Sequence, residues 1–273
     1  MDRIALADAI VARLNTTFSE AREQWNCLGR IPSAIVDDLL PVEVTTSVHG
    51  AFPKSDRMMF KSSMKERKHV GAQMDRYDPL LEEIVYAFQD ERVVTLIGNI
   101  TGMADLEPDS QLYAGGISAM SKGAYLRPHL DNSHDNKRQR YRVLNLLFYV
   151  TPEWREHDGG ALQLWDDGPK GAPRTIASKF NRLVLMATNR QSWHSVNEVK
   201  CDTARRCVSN YYFSRSPPSG ADYFHATSFR AEHGRGPSDV MMRADNALRT
   251  TILKLTGDKI FKNPHLYKTS KPD

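Results

Sequence analysis

From Leu112 onward the chain reads as short apolar runs separated by Gly, Pro, Asn and Asp. Runs of that length are too short for core helices, and turn residues at that spacing mark consecutive β-strands. They predict strands near 112–119, 123–130, 141–150, 161–165, 174–178, 182–188 and 205–213, with a last one over 223–229. No helix-length pattern separates them, which argues against a parallel α/β sheet and for a sandwich or jelly roll.

Residues 1–110 have a different texture. Leu6, Ile10 and Leu14 share one face of an opening helix that runs toward Trp25. Asp78-Pro79 starts a second helical pattern with Leu80, Leu81, Ile84, Val85 and Phe88, continuing through Val93, Val94, Ile97 and Ile100. Between the two, Lys61, Lys65, Arg67 and Lys68 form a basic patch broken by Glu66 and free of interleaved aromatics, as suits a solvated surface. Near the other end, Pro237-Ser238-Asp239 opens a helix through Leu255, and Gly257 follows its end. The expected fold is α+β and a single domain over 1–273: 1–110 mainly helical support, 111–216 a double-stranded β-helix (jelly-roll) core, 217–273 a C-terminal strand and helix.

Thirty-seven Lys+Arg against 33 Asp+Glu leave a formal charge of +4, far from the segregated basic stripe of a nucleic-acid binder. No run approaches the roughly 18 consecutive apolar residues of a membrane span, and no apolar signal segment follows the first helix. Cys27, Cys201 and Cys207 have no CxxC spacing, so neither a disulfide framework nor a thiolate zinc site is implied. A reducing, cytoplasmic setting is expected, with no nucleic-acid or membrane partner.

The chemistry-bearing candidates are individually weak. His129 and Asp131 are two apart, so an extended strand carries both on one face, within reach of one metal ion. With nine His and 33 acidic residues, about one His-x-acid pair is expected by chance. The run Tyr141–Val150 sets Leu144, Leu146, Phe148 and Val150 on one face and Tyr141, Val143, Asn145, Leu147 and Tyr149 on the other, so it either lines a small polar cavity or has a half-exposed face. His194 emerges just after the buried run Leu183–Ala187. Arg205 and Arg206 open an otherwise aromatic and apolar strand and point to opposite faces. The inward one either meets an anion, with a carboxylate matching its planar fork, or snorkels to water from the strand mouth.

His129-x-Asp131, the strand 141–150, the Asp158-Gly159-Gly160 turn, the strand from Phe180 to Asn189, His194 and the Arg206 strand occur in an order that resembles the prolyl-4-hydroxylase-like branch of the Fe(II)/2-oxoglutarate-dependent oxygenases, over residues 112–216. The resemblance implies a jelly roll that holds Fe(II) through His129, Asp131 and His194. This ligand set is also the one chemistry favours for non-haem iron, since it covers one face and leaves the others open. It implies 2-oxoglutarate as cosubstrate with O2, and ascorbate as an optional reductant. Arg206, chosen over Arg205 because Tyr212 and Phe213 follow it at the family's spacing, is expected to pair with the far carboxylate of 2-oxoglutarate, helped by Tyr149, with Asn145 on the same face. Related halogenases have Gly or Ala where Asp131 stands, so the carboxylate argues for a hydroxylase, a 2-oxoglutarate-dependent dioxygenase acting on a C–H bond of a small-molecule or peptidyl substrate. Two departures from the family pattern, Ile117–Met120 without a cavity tyrosine and Val208 in place of a small polar residue, touch the substrate wall and not the iron. His134 and Asn132 are expected either on the solvated loop 132–140 or as groups supporting the ligands or touching substrate, Trp154 either over the site or in the core, and Cys207 as a small buried hydrophobe. Arg127, Arg138, Arg140 and Arg142 near the expected mouth hint at an anionic substrate. A zinc metallohydrolase using the same three ligands, or a non-catalytic metal-binding barrel, would lack any need for a carboxylate receptor deep in the barrel.

Overall fold

The computed structural model describes residues 1–256 except 114, 219 and 235, together with 267, with side chains as far as 252. Gly257 lies outside the described residues. The N-terminal third holds α1 (Arg3–Thr16), α2 (Phe18–Cys27), α3 (Val42–Ala51), α4 (Pro79–Ala87) and α5 (Glu91–Thr101). The single pattern expected from Leu80 to Ile100 is two helices. Asp90 interrupts it and caps α5 by accepting from the backbone N–H of Arg92 at 3.0 Å, as Asp78 caps α4 through Leu80 at 2.9 Å. The remaining helix, α6, runs from Pro237 to Thr256.

Among the described residues, thirteen strands form one curled antiparallel sheet. Before the expected region come β1 (Ser33–Val36), β2 (Met59–Ser62), β3 (Glu66–Gly71) and β4 (Glu107–Pro108). The expected strands follow as β5 (Gly116–Met120), β6 (Tyr125–Leu130), β7 (Tyr141–Tyr149), β8 (Leu162–Leu164), β9 (Arg174–Ile176) and β10 (Arg182–Ala187). The series ends with β11 (His194–Val196), β12 (Arg205–Ser214) and β13, which keeps only Ser228–Phe229 of the segment expected over 223–229. The order β1-β10-β7-β12-β5-β3 continues through β6-β11-β8-β9. The turn of the curl is β3, which pairs with β5 through His69–Gly71 and with β6 through Glu66 and Arg67.

The curl gives the sheet an outer and an inner layer. Outside, Leu144, Leu146, Phe148, Val150, Leu183, Leu185, Val208 and Tyr212 join Leu6, Ile10, Leu14, Leu81, Ile84 and Ile97 from the helices in one buried core. Inside, Tyr149, Leu162, Leu164, Ile176, Val184, Met186 and Cys207 form a second cluster. Asn181, at φ +61, ties the start of β10 to α3 and the segment before it. Its amide oxygen accepts from Leu40 N–H and Thr45 Oγ1, and its amide nitrogen donates to Leu40 O at 2.6 Å.

One turn is conformationally exacting. Gly159 has φ +71, and a Cβ there would lie 2.0 Å from the carbonyl oxygen of Glu198, which is backbone and cannot swing away. Gly159→Ala is expected to cost at least about 1–3 kcal/mol, read as a fall of several degrees in the melting temperature. An unchanged melting temperature would mean the turn is not needed in this form.

Candidate active site

The metal-ligand candidates are gathered by two strands. β6 ends in His129 and Leu130, so Asp131 follows just past the strand, and β11 places His194 opposite His129 in antiparallel register. One donor atom from each of His129, Asp131 and His194 can be chosen so that all three lie within 4.8 Å of one another. The imidazole centroids are 4.1 Å apart, and each Nε2 is 3.6 Å from a different oxygen of Asp131. His129 Nδ1 lies 3.0 Å from Arg127 O and His194 Nδ1 lies 2.9 Å from Ser192 O. A carbonyl only accepts, so the ring protons sit on Nδ1 and both Nε2 lone pairs face the common centre.

Asp131 is oriented from β7. Asn145 Nδ2 donates to Asp131 Oδ2 at 2.8 Å, and the Arg142 guanidinium lies 3.5 Å from the same oxygen. Arg142 is itself fixed, donating to Asn145 Oδ1 and Asn132 Oδ1 and lying 3.6 Å from the ring centre of Tyr211. Burial pushes the Asp131 carboxyl up, but the charge of Arg142 beside it holds the group well below its ordinary range. Burial and the neighbouring His129 push His194 down to about 3, which keeps its imidazole neutral. Two expectations change here. Arg142, placed by the sequence at the mouth of the site, is buried and spent on Asp131. Asn145, expected on the cosubstrate, holds the carboxylate instead. The cause is a β-bulge: β12 shifts register against β7 between Tyr212 and Phe213, leaving Val143 as the extra residue. Val143 turns into the outer core, and Arg142 comes to the same side as Asn145.

The arginine choice is corrected as well. Arg206 shares its side of β12 with Val208 and Tyr212, the side that packs on the helices. Its guanidinium donates to His49 O at 2.7 Å and lies over Phe52. Arg205 shares the opposite side with Cys207, Ser209 and Tyr211 and lines the cavity. It is 4% exposed. Arg205 Nε donates to Ser178 Oγ at 2.8 Å, and Ser178 in turn donates to Gly160 O at 2.7 Å. Among the described residues no carboxylate lies within ion-pairing distance of Arg205. Beside it, 4.6 Å from ring centre to guanidinium carbon, stands Tyr149, whose buried hydroxyl has no well-formed hydrogen bond. Burial pushes that phenol up to about 12, so it remains a donor. A buried guanidinium without an anion, next to an orphaned hydroxyl, fits a carboxylate supplied by a ligand.

His129, Asp131, His194, Asn145, Arg142 and Arg205 line one cavity of about 530 Å³, within the usual range for a small-molecule site, and Tyr149 stands behind Arg205. Its walls include residues the sequence placed elsewhere. His134 is buried and lines it, against Tyr141 at 4.4 Å, so the site-side alternative holds over the solvated loop, and Asp135 lines it beside His134. Lys61 and Lys68, read from sequence as solvated surface, also face it. Trp154 lies in the core, donating to Gly159 O at 2.9 Å. Cys207 is buried, as expected of a small hydrophobe. The strand expected over 223–229 survives as β13, and its place was not legible in the sequence: Phe229 pairs with His129 and stacks on its ring at 5.2 Å, forming a strap. Asn246 of α6 grips the Phe229 backbone, accepting from N at 3.0 Å and donating to O at 2.7 Å.

Residues 115–214 match the 2OG-Fe(II) oxygenase superfamily. The chain is 33% identical over 98 residues to Prolyl 3-hydroxylase OGFOD1 of Xenopus laevis, covering 33% of this chain and 19% of that protein. It is 29% identical over 105 residues to the protein of the same name from Mus musculus, covering 37% and 19%. The chain therefore spans about a fifth of the length of these curated relatives. Among solved structures, a Pseudomonas putida prolyl-4-hydroxylase superposes with a TM-score of 0.55 at 15% identity, over 73% of this chain and all of that one. A prolyl 4-hydroxylase of Phytophthora capsici gives 0.54 at 17%, over 92% and 79%; at such identities the likeness concerns the fold. Residues 115–214 thus match the 2OG-Fe(II) oxygenase superfamily in sequence, and the fold around them is similar to that of prolyl-4-hydroxylases.

Proposed function

We propose that this chain is an Fe(II)- and 2-oxoglutarate-dependent hydroxylase in which His129, Asp131 and His194 hold the iron and Arg205, with Tyr149, receives the far carboxylate of 2-oxoglutarate. The observation that carries the reading is the pairing, in one cavity, of a two-His, one-carboxylate cluster with a buried arginine that lacks an acidic partner. When bound, iron with 2-oxoglutarate and O2 supplies oxidation: the cosubstrate leaves as succinate and CO2, one oxygen atom going to succinate and the other into a substrate C–H bond.

The chain's own residues supply position and protection. The carbonyls of Arg127 and Ser192 fix the imidazole protons on Nδ1, so both Nε2 atoms are free to ligate. Asn145 and Arg142 keep Asp131 ionised and aimed. Ser178 turns the Arg205 fork, and Tyr149 adds a neutral donor on the same side. Phe229 and its strap cover His129 from outside and limit water at the site. A zinc hydrolase would have no use for the Arg205 receptor, which favours the oxygenase. The relatives' names, prolyl hydroxylases, favour a peptidyl substrate over a free small molecule. We read the chain as one catalytic domain. Its three thiols, all unpaired, suit a reducing compartment, and no helix among the described residues is long and apolar enough to cross a membrane.

The test is an anaerobic titration of Fe(II) and then 2-oxoglutarate, expected to develop the visible charge-transfer band of a chelated keto acid. Admission of O2 with a peptide library should then give substrate-stimulated succinate. No band, together with hydrolytic activity after zinc loading, would overturn the reading.

A further inference from the structure

The hairpin of β2 and β3 carries an arrangement that strand physics disfavours. In its register Lys61 stands directly opposite Lys68, and like charges facing each other across an antiparallel pair repel. Both side chains turn toward the cavity, with Glu66 and Val70 beside them, while Phe60 and His69 stack on the other side. A merely solvated strand would have had that outer side available for its charges.

One carboxylate stands between the two lysines. Glu66 lies 3.0 Å from Lys68 Nζ, and its carboxyl is held below the ordinary range by Lys68 and Lys61 despite the opposing effect of burial. Lys61 has no ion-pair partner among the described residues, and burial pushes its ammonium down. Of the other charges lining or flanking the cavity, Arg142 pairs with Asp131, Arg140 with Asp135, and Arg249 and Lys65 with Asp245, while Arg138 lies over the Phe224 ring. Arg205 belongs to the cosubstrate receptor on β12. The hairpin thus presents two cations and one anion to a cavity whose remaining charges are largely matched.

We propose that Lys61 and Lys68 form a second anion receptor, which seats an oxyanion group, carboxylate or phosphate, of the substrate to be hydroxylated. This rests on the oxygenase reading above. β3 joins the hairpin to the strand that carries His129, through Glu66 opposite Leu126 and Arg67 opposite Tyr125. A substrate anchored on the hairpin therefore reaches the metal cluster within the same cavity, and the two receptors divide the work: Arg205 takes the cosubstrate and Lys61 with Lys68 selects the substrate by charge.

The test uses the full chain with Mn(II) in place of iron and saturating 2-oxoglutarate, which occupies Arg205. Inorganic phosphate and, in a separate arm, [13C]acetate are titrated, and three signals are read. Amide shifts of residues 59–71 report anion binding at the hairpin with or without metal. Paramagnetic relaxation of the 31P or 13C nucleus reports its nearness to the metal, and Mn(II) retention reports the metal cluster independently. The expected result is a saturable shift of the hairpin amides and enhanced relaxation, with binding at least about tenfold weaker in Lys61→Gln/Lys68→Gln and largely restored in Lys61→Arg/Lys68→Arg. A response to phosphate alone assigns a phosphorylated substrate, and a response to both anions leaves the receptor general. Absent hairpin shifts, or shifts and relaxation unaltered by the double Gln substitution, would overturn the receptor. Hairpin shifts without Mn(II) retention would support the receptor while removing the oxygenase reading on which its role depends.

Discussion

Asp131→Ala is expected to abolish succinate formation and to weaken metal binding by more than about 100-fold, beyond the range seen when only an outer partner of a ligand is lost. Two losses coincide. One ligand disappears, and Arg142, buried and 3.5 Å from the carboxylate, is left as an uncompensated cation pointing at the site. Removing one partner of a buried pair typically costs about 3–5 kcal/mol of stability, so a fall in melting temperature should accompany the loss of activity. The double variant Asp131→Ala/Arg142→Leu separates the effects, since removing both charges should return much of the stability without returning metal binding. Calorimetric titration of Fe(II) under anaerobic conditions, with succinate measured by mass spectrometry, checks both. Normal turnover in Asp131→Ala would show that the metal ligands are other than His129, Asp131 and His194.

Arg205→Ala is expected to weaken 2-oxoglutarate binding by about 30-fold to several thousand-fold, the equivalent of about 2–5 kcal/mol for an unpaired buried charge partner. Arg206→Ala should leave cosubstrate affinity nearly unchanged, because that guanidinium is held by the His49 carbonyl between sheet and helices. The comparison is informative because the two residues are adjacent and identical in type, so a non-specific loss of charge would affect both. Arg205→Lys should recover only part of the affinity, since an ammonium cannot reproduce the two parallel donors of the fork. The readout is the 2-oxoglutarate dependence of the charge-transfer band. A larger loss in Arg206→Ala than in Arg205→Ala would reverse the assignment.

That adjacent pair also shows where sequence reasoning reached its limit. Alternation along β12 determined that one arginine faces inward, but family spacing to Tyr212 and Phe213 selected the wrong one. Along β12 itself the alternation is regular, Arg206, Val208 and Tyr212 on the helix side and Arg205, Cys207 and Tyr211 on the cavity side, and a count of residues to the aromatics does not say which of two neighbours faces in. On β7 the bulge at Val143 brought Arg142 inward and moved Val143 out. A bulge depends on how two distant strands settle against each other, and neither strand's own pattern records it. The basic stretch at Lys61–Lys68 was illegible for a related reason: a short, charged hairpin lacks the apolar alternation that marks a strand, and it forms because β5 and β6 offer it open edges.

By itself the sequence determined the strand-rich region after Leu112, the helical third before it, and the order of His129, Asp131 and His194 within that region. These follow from local periodicity, turn chemistry and residue type, which each segment carries within itself. Only the tertiary structure decided that Arg205 and not Arg206 enters the cavity, that Asn145 and Arg142 serve Asp131, and that the hairpin lysines and the Phe229 strap close around the site. Those facts depend on register and on the curl of the sheet, which arise from pairing between segments many tens of residues apart.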